Sequence, residues 1–273
     1  MYRGFNLQLN EKASIFSDEN EYERLKEIGK NHLANQKEDL EKELDTYVAD
    51  DMIDGTKIQN EWFPIIEADV FISHSGKDDG LANALAGWIY DTFRLKCFID
   101  KNVWGYSKTL LDRMNSKLSN KRRNGNDGYI YDYESGNRVS QHVNMMLTVA
   151  LQKMIDKSEA VIFLNTENAV KIHGENHMKK TYSPWIYSEI VCTKLIRRKQ
   201  LYVYRRLLYD VNESVQNLAH ADISYDVSLT HLISLCEDDL LHWGKEWKQN
   251  REKHECGLDA LYEVIWTDDF REY

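Results

Sequence analysis

A chain of 273 residues with 42% hydrophobic content is long and apolar enough for one large or two small domains with a real core. Its formal net charge of −10 removes the broad basic face that a nucleic-acid partner requires. No apolar run approaches the roughly 20 residues that span a bilayer, and the opening MYRGFNLQLNEK lacks a signal-peptide core, so the expectation is a cytoplasmic protein without a membrane partner.

Residues 1–17 show no clear period. Asp18, with Glu21 three residues on, makes a capping pair for a charged helix extending to about Tyr47. Its apolar positions, among them Tyr22, Leu25, Ile28 and Leu33, slip in register, which reads as an arm packed on its own domain or on another subunit. After a break at Asp50 to Gly55, Trp62-Phe63-Pro64-Ile65-Ile66 leads into Val70-Phe71-Ile72, an apolar run suited to a strand buried on both faces. The run stops at the polar crest Ser73-His74-Ser75-Gly76. Asp78 and Asp79 then open a helix through Leu81, Leu85, Trp88 and Ile89. The crest alone is also what an ordinary capped turn looks like.

Lys96 to Asp100 forms a second strand, followed by the loop KNVWGYS and a helix through Leu110, Leu111, Met114 and Leu118. Residues 119–140 are polar, glycine-bearing and tyrosine-rich, an excursion with Glu134-Ser135-Gly136-Asn137 placed as a hairpin turn. Helical spacing returns from Val143 to Ile155, and Ala160 to Leu164 is the strongest buried-strand signal, ended by Asn165 and Thr166. After a polar loop over 167–182, Ser183 as N-cap and Pro184 at the first helical position open a helix to about Arg198. Leu201 to Tyr204 reads as a fourth strand and Ile223 to Val227 as a weaker fifth. The tail over 228–265 is mostly helical. This alternation predicts a parallel sheet covered on both faces by helices. The division expected is an N-terminal helical arm (1–66), a sheet domain (67–228, with the excursion 119–140) and a C-terminal helical extension (229–273).

Common enzyme signatures fail: there is no GxSxG, HExxH or GxGxxG, and Gly76-Lys77 lacks the context of a phosphate loop. Cys97, Cys192, Cys236 and Cys256 form no CxxC pair, and His242, His254 and Cys256 have no metal-ligand spacing, so neither a disulfide framework nor a metal site is expected. Trp185 and Glu189, four residues apart, share one face near a helix start, where an indole wall and a carboxylate look into one space.

In chain order, DVFISHSGKDD, CFIDKNVWGYS, AVIFLNT and YSPWIYSEI together resemble the TIR (Toll/interleukin-1 receptor) domain family over roughly residues 67–228. The likeness is to its bacterial NAD-cleaving members, including those of Thoeris-like antiphage defence. The resemblance implies an α/β, flavodoxin-like five-stranded parallel sheet. For active members it implies cleavage of NAD+, as substrate rather than cofactor, between nicotinamide and ribose. Glu189 corresponds to the catalytic glutamate. Ser73, His74 and Ser75 and the loop from Asp100 to Ser107 border the nucleotide. Trp104 or Tyr106 stacks on a base, and Trp185 shields the site. Asn165 and Thr166 face the same crevice, because ligands bind at the topological switch point outside the carboxyl ends of the strands. The product is ADP-ribose if water attacks, or a cyclic ADP-ribose isomer if a hydroxyl of the same molecule does. The resemblance further implies a homo-oligomer and a separate effector protein that senses the nucleotide. Two other readings stay open: a TIR interaction module that signals by assembly alone, and a base-exchange or deoxyribosyl-transfer enzyme of related architecture. The longer excursion and the tail depart from the family pattern.

Overall fold

Short apolar segments of the chain assemble into one parallel sheet in the computed structural model, which describes residues 1–33, 48–49, 52–104, 107–119, 121–124, 128–173, 178–205 and 225–269. Strands β1 (Arg3–Leu7), β2 (Val70–Ser73), β3 (Cys97–Phe98), β4 (Ala160–Leu164) and β5 (Ile233–Leu235) lie in the spatial order β5-β1-β4-β2-β3, with every neighbouring pair parallel. With helices on both faces this is the α/β, flavodoxin-like architecture expected. All residues of β2 and β4 are buried, as strands covered on both sides must be.

The helices are α1 (Glu19–Asn31), α2 (Gly55–Trp62), α3 (Asp79–Phe93), α4 (Asp100–Trp104), α5 (Ser107–Leu118), α6 (Tyr133–Lys157), α7 (Pro184–Leu195), α8 (Tyr202–Arg205), α9 (Glu237–Asn250) and α10 (Gly257–Asp269). Side chains of α1, α3, α9 and α10 share one core with Phe5, Leu7, Val70, Ile72, Ile162 and Leu164. On the other face α2, α5 and α6 pack with Phe71, Phe98 and Val161, while Ile186 and Ile190 of α7 pack with Phe163. The chain therefore leaves β1 and β2 toward the first face and leaves β4 toward the second. A topological switch point lies between β4 and β2, where the connection leaving β2 runs outward to β3 and the one leaving β4 runs the other way, to β5.

Several expectations are corrected here. Residues 3–7 are a strand between β5 and β4, and 233–235 supply the edge, so the segments expected as arm and extension both contribute to the sheet. Leu201–Tyr204 is not the fourth strand: β1 holds the place beside β4, and Tyr202–Arg205 is a helical turn. Tyr225–Asp226 pairs antiparallel with Lys180 and Thr181 in a small separate sheet rather than forming a fifth parallel strand. That sheet also takes Lys171–His173 and Met178–Thr181 from the expected polar loop. The hairpin is formed by Lys121–Asn124 and Gly128–Tyr131. Glu134 to Asn137 instead begin α6, because Asp132 caps it by accepting from the Ser135 backbone N–H at 3.1 Å. Asp18 does cap α1, accepting from Glu21 N at 2.9 Å. The expected continuation of that helix over 34–47 lies outside the described residues.

The N-terminal helix packs on its own domain. α1 and α3 cross at backbone contact: a Cβ on Gly29 would lie 1.9 Å from Asn83 O, and one on Gly87 would lie 1.8 Å from Leu25 O. Only glycine permits so close an approach from both sides. Among the described residues no helix is long and apolar enough to cross a membrane.

Candidate functional site

The alternation of β2 sends Val70 and Ile72 to the first face and Phe71 and Ser73 to the second. Ser73 is the last residue of the strand, at its carboxyl end. On the same face, Ser183 caps α7 by accepting from Ile186 N at 3.2 Å, and Pro184 occupies the first helical turn. This fixes the phase of the helix. Ile186 and Ile190 turn onto Phe163, and Glu189 turns inward beside them.

The two motifs meet there. Ser73 Oγ donates to Glu189 Oε2 at 2.5 Å, and both residues are buried, at 2% and 6% exposure. Burial pushes the Glu189 carboxyl up to about 8, and the charge of Asp100 adds to that, while the hydrogen bond from Ser73 opposes it. The resting side chain is therefore mostly protonated at neutral pH. Trp185, one turn earlier, is half-buried against the core of the same face. Asp100, half-buried, opens α4 just beyond β3, within electrostatic reach of Glu189.

The rest of the crest is tied together rather than open. His74 has a buried ring whose Nε2 stands 3.8 Å from Asp79 Oδ1, an ion-pair distance and not a hydrogen bond. The other Asp79 oxygen accepts from Lys101 Nζ at 2.9 Å. The His74 ring, with Lys101, holds the Asp79 carboxyl down at about 2 against its partial burial. Ser75 Oγ accepts from Lys77 N at 3.4 Å and starts the turn into α3. Thr166 donates its hydroxyl to Asp78 Oδ2, and Asn168 Nδ2 donates to Asp78 Oδ1 at 2.6 Å, which stitches the ends of β2 and β4 together. Asn165 N donates to Leu7 O at 2.8 Å and binds β4 to β1 in the same way.

Ser73, Glu189 and Asp100 are thus brought together, with Trp185 alongside. Trp104 is not available to stack on a base: at 2% exposure it lies between Phe63 and Phe98, its indole N–H donating to Pro64 O at 3.2 Å. The helical turn Asp100–Trp104 folds the indole back onto β3, where a loop would have presented it outward. Tyr106 lies outside the described residues.

Two buried polar residues near the strand ends carried no obvious sequence signal. Asp78 reads as a capping residue but bridges two strand ends. Asn6 stands in β1 in register with Phe163, which is itself in register with Ser73. Its side chain therefore belongs to the second face, 9% exposed, with Oδ1 unpartnered. The polar residue inside RGFNL was the available clue. Elsewhere, His254 Nε2 lies 3.3 Å from Glu246 and 3.6 Å from Glu263, a set of donors of the kind that can hold a cation but at the distances of ordinary ion pairs.

No family model matches the chain, and neither a curated protein nor a solved structure matches it significantly.

Proposed function

We propose that the chain is a TIR-type enzyme that cleaves NAD+ at the nicotinamide–ribose bond, with Glu189 as its catalytic carboxylate. The single observation carrying this reading is the contact between Ser73 and Glu189. Two segments 116 residues apart in sequence join a strand-end hydroxyl to a buried carboxyl beside a switch point of the sheet. The motif resemblance picks out the same two segments independently.

The chemistry follows from charge. Breaking the C1″–N1 bond returns its electron pair to the pyridinium nitrogen, so nicotinamide leaves neutral and no general acid is needed, unlike an ordinary glycoside. What the reaction requires is an anion beside the oxocarbenium-like ribose. Glu189 is held protonated by burial and by Asp100 until the cationic ring enters, and that positive charge favours its ionised form. The carboxylate then stabilises the developing cation, and Ser73 keeps it oriented. Water adding to C1″ gives ADP-ribose and releases a proton; a hydroxyl of the same molecule gives a cyclic isomer. Self-association, and a separate effector protein that reads the product in antiphage defence, complete the proposal.

The burial of Glu189 to 6% exposure also favours a second reading, an assembly module in which the carboxyl is structural. Incubating NAD+ with wild type and Glu189→Gln, at low and high protein concentration, separates the two. The enzyme releases nicotinamide only with the glutamate present, at least 100-fold faster than the variant. Equal release, or none at any concentration, sinks the enzyme reading and leaves the module.

A further inference from the structure

The first turns of α6 differ from the rest of the helix in what they pack against. α6 has 25 residues, about 37 Å of length, and leads into a strand of five. Its N-terminal half therefore reaches past the carboxyl ends of the strands, where α5 and the start of α2 are its neighbours. The three helices do not close on one another there. A cavity of about 400 Å³ opens between them, and small-ligand sites begin at about 300 Å³.

Met114 and Leu118 of α5 and Val139 and Met146 of α6 form the apolar walls. The first, third and fourth of these are buried, whereas Leu118 is 40% exposed and marks the opening. Gly55, the first residue of α2, lines the space without a side chain: a Cβ there would stand 3.2 Å from Met146 Cε. The polar lining residues follow one stripe of α6. Ser135, Arg138 and His142 are spaced by three and four, which puts them on one side of the helix. Ser135 is already engaged, its hydroxyl donating to Asp132 O at 3.1 Å. Arg138 and His142 are exposed, and among the described residues neither side chain has an ion-pair or hydrogen-bond partner. In a chain with 45 acidic against 35 basic residues, an arginine at an apolar cavity without a carboxylate is unusual company. Two basic side chains one turn apart also repel when both are charged, and an anion between them removes that conflict.

We infer that this cavity is a binding site for a carboxylate with an unbranched alkyl tail. The tail lies among Met114, Val139 and Met146, and the Arg138 guanidinium holds the carboxylate with His142 beside it. An unpaired guanidinium fork matches the two oxygens of a carboxylate. One guanidinium and one imidazole suit a single negative charge better than the nearly double charge of a phosphate monoester. Methionine walls, flexible and polarisable, adapt to a flexible chain. The site shares no lining residue with Ser73 and Glu189 and does not depend on what they do.

Titration calorimetry on the full chain tests the site, with decanoate as probe, hexanoate as a shorter acid and decylammonium as a chain of equal length and opposite charge. Wild type should bind one decanoate per chain. Hexanoate, which buries fewer methylenes, should bind at least tenfold more weakly, and decylammonium should not bind. Arg138→Gln should weaken decanoate at least tenfold by removing a charge-assisted hydrogen-bonded pair. Leu118→Asp, which sets a charge of the same sign at the opening, should do the same. Both positions are exposed, so both variants should melt with wild type. Decanoate binding that is absent, that takes several equivalents per chain, that hexanoate or decylammonium equals, or that survives either substitution overturns the site.

Discussion

Two helices flank the crest of the sheet on opposite faces, and they are seated by opposite means. On the first face α3 buries Leu81, Ala82, Ala84, Leu85, Ala86 and Ile89 and meets α1 through Gly29 and Gly87 at backbone contact. Every choice there favours close packing. On the second face α7 brings a carboxyl, Glu189, into the core against a serine. That carboxyl lies well above its ordinary range, which means that burial opposes its charge. One side of the molecule is a platform, and the other holds a group that stability alone would not select. Such local conflicts are where function is expected.

The comparison breaks first if the α1–α3 crossing is not tight. Gly87→Ala puts a methyl 1.8 Å from Leu25 O, which neither backbone can avoid without separating the helices. We expect a loss on the order of 3 kcal/mol or more in urea unfolding, the largest effect of any single change considered. A midpoint within error of wild type would show that the glycine contact carries no such constraint.

Glu189→Gln probes the other side and should act with the opposite sign. A carboxyl whose folded value is raised from 4.5 to about 8 contributes stability that is fully present below the unfolded value and is lost as pH rises through the folded one. Wild type is therefore penalised progressively between those values, while glutamine, which can still accept from Ser73, is not. The variant should be more stable by roughly 3 kcal/mol at pH 7 and indistinguishable near pH 4. A gain that does not depend on pH would mean that the carboxyl is not the titrating group. On the proposed NAD-cleaving reading, the same titration makes kcat/KM for NAD+ rise with pH through about 8.

Ser73→Ala should be milder. Its hydrogen bond is the one contribution that draws the Glu189 carboxyl down, so its loss should move the alkaline rise in kcat/KM to still higher pH. The accompanying stability cost is about 1 kcal/mol. An unmoved profile would show that Ser73 does not hold Glu189 during the proposed cleavage.

The same contrast explains what was legible in the sequence. β2, β4 and the start of α7 could be read because an apolar run or a Ser-Pro cap is a local signal. The resemblance assigned Ser73 and Glu189 to one site, but the hydrogen bond that joins them had no signal in the sequence. β1 escaped because Gly4 and Asn6 interrupt its apolar pattern, leaving Phe5 and Leu7 alone to report burial. The strand is held by its neighbours, and neighbours so far along the chain leave no periodicity. Leu201 to Tyr204 has the composition of a strand, but composition cannot show that the slot beside β4 is already filled. Trp104 was misjudged because an aromatic residue between Lys101 and Ser107 looks exposed until a helical turn swings it onto Phe98. That Asn6 faces the same side of the sheet as Ser73 needed the register of three strands at once.

The smallest test stays on the platform side. α3 ends at Arg94, which takes a left-handed conformation with φ of 60°, a backbone state that costs most residues energy and glycine almost none. Arg94 is exposed, and its guanidinium lies 5.6 Å from the Tyr90 ring centroid and 3.8 Å from Asp91, contacts worth little in solvent. Arg94→Gly should therefore stabilise the fold by about 0.5–1 kcal/mol, seen as a higher urea midpoint. If the two faces are as independent as their packing indicates, this gain leaves NAD+ turnover and its pH profile where they were. A shift in either would mean that tightening α3 is felt at Glu189, through β2 and the Ser73 hydroxyl at its end.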